Sequence, residues 1–399
     1  MIDWDDLRAA LSGEHLPSLL VDLPAFDRNV DRIAKAARAA DKPIRVGSKS
    51  IRSVALLRRI LDHPSGAFRG VLAFTYEEAA YLLEVLPPEQ RDVLVAYPSV
   101  APAALRRFAV AARGARRALA VIDALEHLEA LEKAGRDVGV SIDAVIDLDV
   151  SLRVSMGAGH LHLGVRRSPI HSGEAVAQLL ERAARSNVVR VVGLLAYEAH
   201  VAGLPGSGPG PRAFRALAFP EVMRLRAEAV AALRAHRVDD ALVNAGGTGS
   251  LNKSLEDPSA TEVTVGSGFL CSHLFDGASD LQLEPAIFIA LEIGRLPDAA
   301  HATANGGGYV ASGEAGPSRL PQPYLPRGMS LLSMEGAGEV QTPLSIRHAE
   351  RAPRIGDPVL LRPAKAGEIA ERFAEHLWLD GRRLVGRSPT YRGLGQTFL

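Results

Sequence analysis

Two short runs decide the reading of the fold: Ala241-Leu242-Val243-Asn244-Ala245-Gly246-Gly247-Thr248-Gly249-Ser250 and Glu262-Val263-Thr264-Val265-Gly266-Ser267-Gly268. Each starts as an apolar strand and ends in glycines. Glycine lets successive backbone N–H groups converge on an anion with no Cβ in the way, and Thr248, Ser250 and Ser267 add hydroxyl donors. Working back towards the N-terminus, further strand patterns stand at 44–48, 70–74, 92–97, 117–122, 143–149 and 190–196. Most gaps carry helical patterns rich in Ala, Leu, Arg and Glu, as at 101–113, 124–134, 172–186 and 213–236. Near-continuous apolar strands joined by helices predict a parallel sheet covered on both faces. Eight such strands close a (β/α)8, or TIM, barrel, in which the loops after strands seven and eight often bind phosphate. An open doubly wound sheet is the alternative.

A ninth run, Ser18-Leu19-Leu20-Val21-Asp22-Leu23, is left over by the barrel and belongs elsewhere. Pro24 opens the next helix, where its missing N–H costs nothing, and Phe26, Val30, Ile33 and Ala37 give that helix one apolar stripe. After residue 268 helical patterns nearly vanish. Gly306-Gly307-Gly308, Gly356-Asp357-Pro358 and Ser388-Pro389-Thr390 punctuate short runs, which predicts an all-β domain with tight turns. The expected fold class is therefore α/β, a barrel over 24–268 beside a β-rich domain over 1–23 plus 269–399. Segment 203–212, rich in Gly and Pro, is expected to be a flexible loop at the barrel mouth.

Of 399 residues, 47% are hydrophobic and 23% charged, ordinary for a globular chain with room for a barrel and a smaller unit. The 46 basic and 46 acidic residues cancel, so neither a nucleic-acid-binding surface nor a disordered acidic tail is indicated. No apolar run approaches the roughly 18 residues that a membrane span needs. The acidic opening Met1-Ile2-Asp3-Trp4-Asp5-Asp6 is unlike a signal peptide. A single cysteine, Cys271, allows no intrachain disulfide and fits a cytoplasmic location. Nothing near it reads as an activating base, so a bystander thiol is expected.

Barrel chemistry sits at the C-terminal ends of the strands. Lys49, in Arg45-Val46-Gly47-Ser48-Lys49-Ser50, ends the first barrel strand. Barrel closure sets strand eight beside strand one, which brings the glycine loops within the length of pyridoxal phosphate from this amine. A lysine beside a phosphate cup is what that cofactor needs, with Gly246, Gly247, Thr248, Gly249, Gly266, Ser267 and Gly268 as the cup. Strand five runs into Asp147, Asp149 and Arg153, and strand six ends in Tyr197-Glu198-Ala199-His200. Imidazole has a suitable pKa for moving protons, so His200 is the candidate base. An arginine near the cofactor's ring nitrogen would keep that nitrogen unprotonated; Arg153 is the candidate and Arg166 the runner-up.

The opening Leu20-Val21-Asp22-Leu23, Lys49 in its Ser-Lys-Ser setting, Tyr197 to His200 and both glycine loops resemble the fold-type III pyridoxal-phosphate enzymes, the alanine-racemase-type barrels. So does the ending Pro389-Thr390-Tyr391-Arg392-Gly393. The chain is most similar to the branch of D-threonine aldolases and D-serine dehydratases, and to its "amino acid deaminase/aldolase" group. The resemblance implies that Lys49 is the Schiff-base lysine, His200 a catalytic base and Tyr197 a cofactor contact. It also implies that the first strand joins the C-terminal β domain, and that the protein is a homodimer acting on a small amino acid. In one respect the chain departs from that branch. Members carry a metal pair, His-x-Cys or His-x-Asp, where this chain has Arg362-Pro363-Ala364-Lys365-Ala366-Gly367-Glu368. Proline cannot bind a metal and a protonated lysine would repel one, so no divalent metal is expected. Lys365 is the candidate for supplying positive charge to the substrate instead.

Two lyase outcomes stay open for a β-hydroxy amino acid: Cα–Cβ cleavage, or loss of the hydroxyl followed by deamination. A racemase of the same fold is a third reading, with Tyr309 or Tyr391 as its second base. A non-catalytic carrier of the cofactor, or a phosphate-binding barrel without it, is a fourth.

Overall fold

The computed structural model describes residues 2–156, 159–203 and 208–399. Residues 204–207, inside the expected mouth loop, lie outside the described residues. A short helix, Trp4–Ala10, precedes the first strand, β1 (Ser18–Asp22). The barrel strands follow: β2 (Ile44–Gly47), β3 (Phe68–Ala73), β4 (Asp92–Val95), β5 (Arg117–Ile122) and β6 (Ile142–Asp147). A hairpin, β7 (Leu152–Met156) with β8 (Gly159–Leu163), intervenes before β9 (Val189–Ala196), β10 (Leu242–Ala245) and β11 (Glu262–Val265). The closed order is β10-β11-β2-β3-β4-β5-β6-β9, so the eight strands expected from the sequence are the eight that close. All pair in parallel. At the seam Thr264 faces Arg45 and Val265 faces Val46, and the next residues are Gly266 and Gly47. A Cβ on Gly47 would sit 3.3 Å from the Gly266 Cα, so the two strand ends approach this closely because neither carries a side chain.

Two expectations need correction. The hairpin β7–β8 was not foreseen, and the helix expected at 213–236 is Pro209–Ala235. Residues 209–212 are therefore the first turn of a helix and not loop: Pro209 starts it, where a missing N–H breaks no bond.

Inside the lower barrel, Arg45 is fully buried between two carboxylates. Its Nε–H donates to Glu262 Oε1 at 2.5 Å and its Nη1–H to Asp92 Oδ1 at 2.9 Å. Burial opposes its charge, but Glu262 and Asp92 outweigh that and its pKa is raised. Asn244 donates to the same Glu262 oxygen at 2.7 Å and accepts from Thr264 Oγ1 at 3.0 Å. A buried charge is tolerated only when paired and fully hydrogen-bonded, and here the paired groups form the floor under the barrel mouth.

The second domain is built from β12 (Ile287–Asp298), β13 (His301–Asn305), β14 (Gln322–Leu325), β15 (Ser330–Leu331), β16 (Gln341–Ser345), β17 (Pro358–Arg362), β18 (Glu375–Asp380) and β19 (Arg383–Pro389). Its main path runs β15-β16-β13-β12-β1-β18-β19. The leftover strand β1 thus lies in the middle of this sheet, antiparallel to β12 and parallel to β18. Asp22, the last residue of β1, accepts the Ala25 N–H at 3.1 Å and so caps the helix Leu23–Ala39, the route from sheet to barrel. Among the described residues no helix is long and apolar enough to cross a membrane.

Candidate functional site at the barrel mouth

A cavity of about 190 Å3 opens at the C-terminal ends of the barrel strands. It gathers Lys49, Tyr197, Gly246, Gly247, Thr248, Gly266 and Ser267, contributed by strands one, six, seven and eight. Lys49 follows β2 in a short turn, Ser48–Ser50. Its amine makes no hydrogen bond or ion pair among the described residues, and the residue lines the cavity.

The first glycine loop is tight because its neighbours leave no room. Gly246 has φ +84°, in the left-handed region that disfavours side chains, and a Cβ there would run into Val263. At Gly247 a Cβ would lie 2.9 Å from Tyr197 Cε2, so this glycine lets the Tyr197 ring form the adjoining wall. Thr248 and Gly249 then open a short turn, Thr248–Ser250, where backbone N–H groups have no preceding carbonyl within the turn to receive them. The second loop is tied to the first: the Gly268 N–H donates to Thr248 Oγ1 at 2.9 Å. On its other side Ser267 Oγ lies 3.0 Å from Ser50 Oγ, which places hydroxyls beside Lys49. This cradle of glycine backbone and hydroxyls, next to a lysine amine, fits the phosphate and aldehyde ends of pyridoxal phosphate.

Behind the first loop lies a buried brace. Glu198 is fully buried, accepts the Gly246 N–H at 3.1 Å and the Ser254 hydroxyl at 2.6 Å, and is ion-paired with Arg226. Arg226, on the helix Pro209–Ala235, also pairs with Asp257 at 2.9 Å. Burial would raise the Glu198 pKa, but Arg226 and the hydroxyls of Ser250 and Ser254 outweigh it and hold the carboxylate ionised. The sequence singled out the Tyr-Glu-Ala-His run but not this brace, because its partners lie 28 and 56 residues away.

The opposite wall carries charge. Asp147, at the end of β6, faces the cavity, and its carboxyl is pushed up to about 7, first by burial, then by Asp123 and Asp149, against the pull of Arg167. Arg167 lines the cavity with its guanidinium over the Tyr97 ring, 5.5 Å from the centroid. Of the neighbouring arginines, Arg153 and Arg166 are outside the lining, and the Arg153 Nη2 donates to Asp149 Oδ2 at 3.0 Å. Arg167 and Tyr97 were missed. Both follow barrel-strand or hairpin ends, and that position was the one available signal.

Other expected site residues lie elsewhere. His200, on the short helix Ala199–Ala202, is outside the lining. Its ring meets Phe214 edge-on at 6.2 Å, its Nε2 is buried with no partner among the described residues, and burial lowers its pKa. Gly249 backs onto the Ala202 carbonyl instead of the cavity. Lys365 and Tyr309 share a second cleft in the β domain with Glu368, Glu371 and Arg372. There the Lys365 amine donates to Ser312 Oγ at 2.8 Å and lies 3.5 Å from Glu368. Tyr391 is fully buried, with its hydroxyl on Glu78, and does not line the cavity. Cys271 is buried and its thiol is pushed up to about 12 by burial, which suits the expected bystander. Among the described residues no group of three or more His, Cys, Asp or Glu side chains is placed to hold a metal ion.

This architecture recurs in solved structures. D-threonine aldolase from Filomicrobium marinum superposes with a TM-score of 0.80 at 21% identity, covering 95% of this chain and 96% of that one. D-threo-3-hydroxyaspartate dehydratase from Delftia sp. HT23 gives 0.74 at 18% identity, over 96% and 98%. Alanine racemase from Bacillus anthracis gives 0.65 at 14%, over 94% and 98%. No curated protein matches the chain by sequence. The profile of the alanine racemase N-terminal domain matches residues 21–270. With more than half of its length matched, spanning every barrel strand and both glycine loops, the chain belongs to the alanine racemase N-terminal domain family.

Proposed function

We propose that the protein is a pyridoxal-phosphate-dependent lyase acting on a small, D-configured β-hydroxy amino acid. The observation that carries this reading is the meeting of Lys49 with both glycine loops in one cavity. Lys49 would hold the cofactor covalently through its amine. The loop Gly246 to Gly249, through the backbone N–H groups of Thr248 and Gly249, would hold its phosphate together with Ser267, and Tyr197 would border its ring. When bound, the cofactor supplies a sink for negative charge at the substrate's Cα. The lyase assignment is supported by the aldolase and the dehydratase among the superposing structures.

The chain's own groups divide the remaining work. Once free, the Lys49 amine can take or return a proton at Cα. His200 is the proposed acceptor of the β-hydroxyl proton, and burial favours its neutral, proton-accepting form. Asp147 can hold a proton near neutral pH inside the cavity. Arg167 is a cation suited to the substrate carboxylate, and Arg153 remains the proposed arginine for the ring-nitrogen side. Lys365 and Tyr309 would meet substrate across the boundary of a homodimer, where Lys365 would supply the positive charge that a metal supplies in related enzymes.

The test begins with purified protein incubated with pyridoxal phosphate. An absorbance band near the edge of the visible is expected, lost on borohydride reduction and absent in Lys49→Ala. Adding D-threonine or D-serine should shift the band, and the L-isomers should not. An aldehyde product selects cleavage, and a keto acid with ammonia selects deamination. No band in the wild-type protein would sink the cofactor assignment.

A further inference from the structure

The turn that presents Lys49 is gripped from behind by groups the proposed chemistry does not use. Arg52 has φ +49°, a conformation uncommon for a residue with a side chain and one that surroundings must enforce. Its Nε–H donates to the Lys49 carbonyl at 3.2 Å, its Nη1 pairs with Glu371, and its guanidinium lies 5.0 Å from the Phe74 ring centroid. On the other flank, a Cβ on Gly367 would overlap the Lys49 carbonyl, so the β domain presses directly on this peptide.

The chain's last residues close the grip. The Tyr391 N–H donates to the Arg52 carbonyl at 2.9 Å. The Tyr391 hydroxyl donates to Glu78 Oε1 at 2.9 Å, in a fully buried pair. Glu78 Oε2 accepts the Phe74 N–H at 2.7 Å, and the Ser48 hydroxyl, which neighbours this carboxylate, donates to the Leu72 carbonyl at 2.9 Å. Ser388 Oγ lies 3.2 Å from Ser53 Oγ. Phe398 packs its ring on Tyr391 at 5.3 Å and on Tyr81 at 5.7 Å. The Arg52–Ser53 end of the segment 48–53 is therefore fastened to residues 388–391, and its Ser48 end lies beside the carboxylate that Tyr391 holds. Pro389-Thr390-Tyr391-Arg392-Gly393, which resembles the family's ending but has no part in the cavity, acquires a role by this contact.

We propose that Tyr391, acting through Arg52 and Glu78, is a positioning residue that holds the Lys49 turn with the amine facing the cavity. The inference rests on Lys49 being the residue that takes up pyridoxal phosphate. A buried carboxyl that loses its phenol partner is left unsatisfied, and the turn is then free to relax away from its strained shape.

The experiment mixes full-length, cofactor-free protein with pyridoxal phosphate, quenches with borohydride at intervals, and counts the labelled Lys49 peptide by mass spectrometry. Tyr391→Phe keeps the ring packing and should slow labelling about tenfold, the scale of one lost buried hydrogen bond. Arg52→Lys keeps a charge for Glu371 but has no Nε–H for the Lys49 carbonyl, and should slow it likewise. Glu78→Gln leaves one acceptor oxygen for two donors, the Tyr391 hydroxyl and the Phe74 N–H, and should slow labelling as well. Leu7→Ala, in a separate part of the core, should melt earlier yet label at the wild-type rate. Labelling of Tyr391→Phe and Arg52→Lys as fast as Leu7→Ala would overturn the proposal. No Lys49 label in the wild type would instead show that the cofactor assignment itself has failed.

Discussion

At the scale of single residues, Asp147 is the group whose chemistry depends most on its surroundings. Its carboxyl loses its proton near pH 7 because burial and the neighbouring Asp123 and Asp149 disfavour a further negative charge. In the loaded enzyme the pH–rate profile should bend near pH 7. Asp147→Asn should remove that bend, and Asp123→Asn should move it to lower pH by removing one of its causes. A profile unchanged by either substitution would take Asp147 out of the chemistry. The residues legible in the sequence were those tied to a strand end: Lys49, Tyr197 and the glycines each follow a run that could be counted round a barrel. Arg153 and Arg166 were chosen over Arg167 because the hairpin β7–β8 was invisible. Its mixed runs, Leu-Arg-Val-Ser-Met and Gly-His-Leu-His-Leu, carry no continuous apolar signal, and without it no one arginine near the end of β6 stands out.

At the scale of elements, the barrel strands were readable because burial on both faces demands near-continuous apolar runs. The β domain was readable only in outline. Its strands are short and interrupted, and the sequence does not reveal that Lys365 and Tyr309 share a cleft apart from the barrel mouth. Strand β18 holds a further consequence. His376 is fully buried on it, with both ring nitrogens unpartnered among the described residues, and burial pushes its pKa down to about 4. Between that value and the ordinary value of 6.5 the unfolded chain binds a proton that the folded chain refuses. Stability is therefore full above pH 6.5 and falls as the pH drops towards 4, by on the order of 3 kcal/mol if this group acts alone. Urea unfolding at pH 7 and pH 5 measures the loss, and His376→Leu should flatten the difference. An equal slope in the variant would assign the acid sensitivity to other groups.

At the scale of the whole molecule, the leftover strand mattered more than its five residues suggest. The sequence identified β1 as surplus to the barrel, and the family resemblance sent it to the C-terminal sheet, where it lies between β12 and β18. Removing residues 1–22 should leave those two strands with facing unpaired edges in the middle of the sheet, a template for aggregation. The shortened chain should lose its cooperative melting transition and associate, as seen by circular dichroism and size-exclusion chromatography. A monomeric, cooperatively melting product would show that the sheet can close without β1.

The same placement governs how the protein is made. β1 leaves the ribosome long before its partners, which begin at Ile287 and Glu375. At roughly 5–20 residues per second, Leu19, Leu20 and Val21 wait on the order of half a minute for their neighbours. Through that interval the barrel can assemble behind them while the second sheet has no centre. Completion of the second sheet therefore waits for β18, and the newborn chain needs shelter for β1 until that strand has been translated.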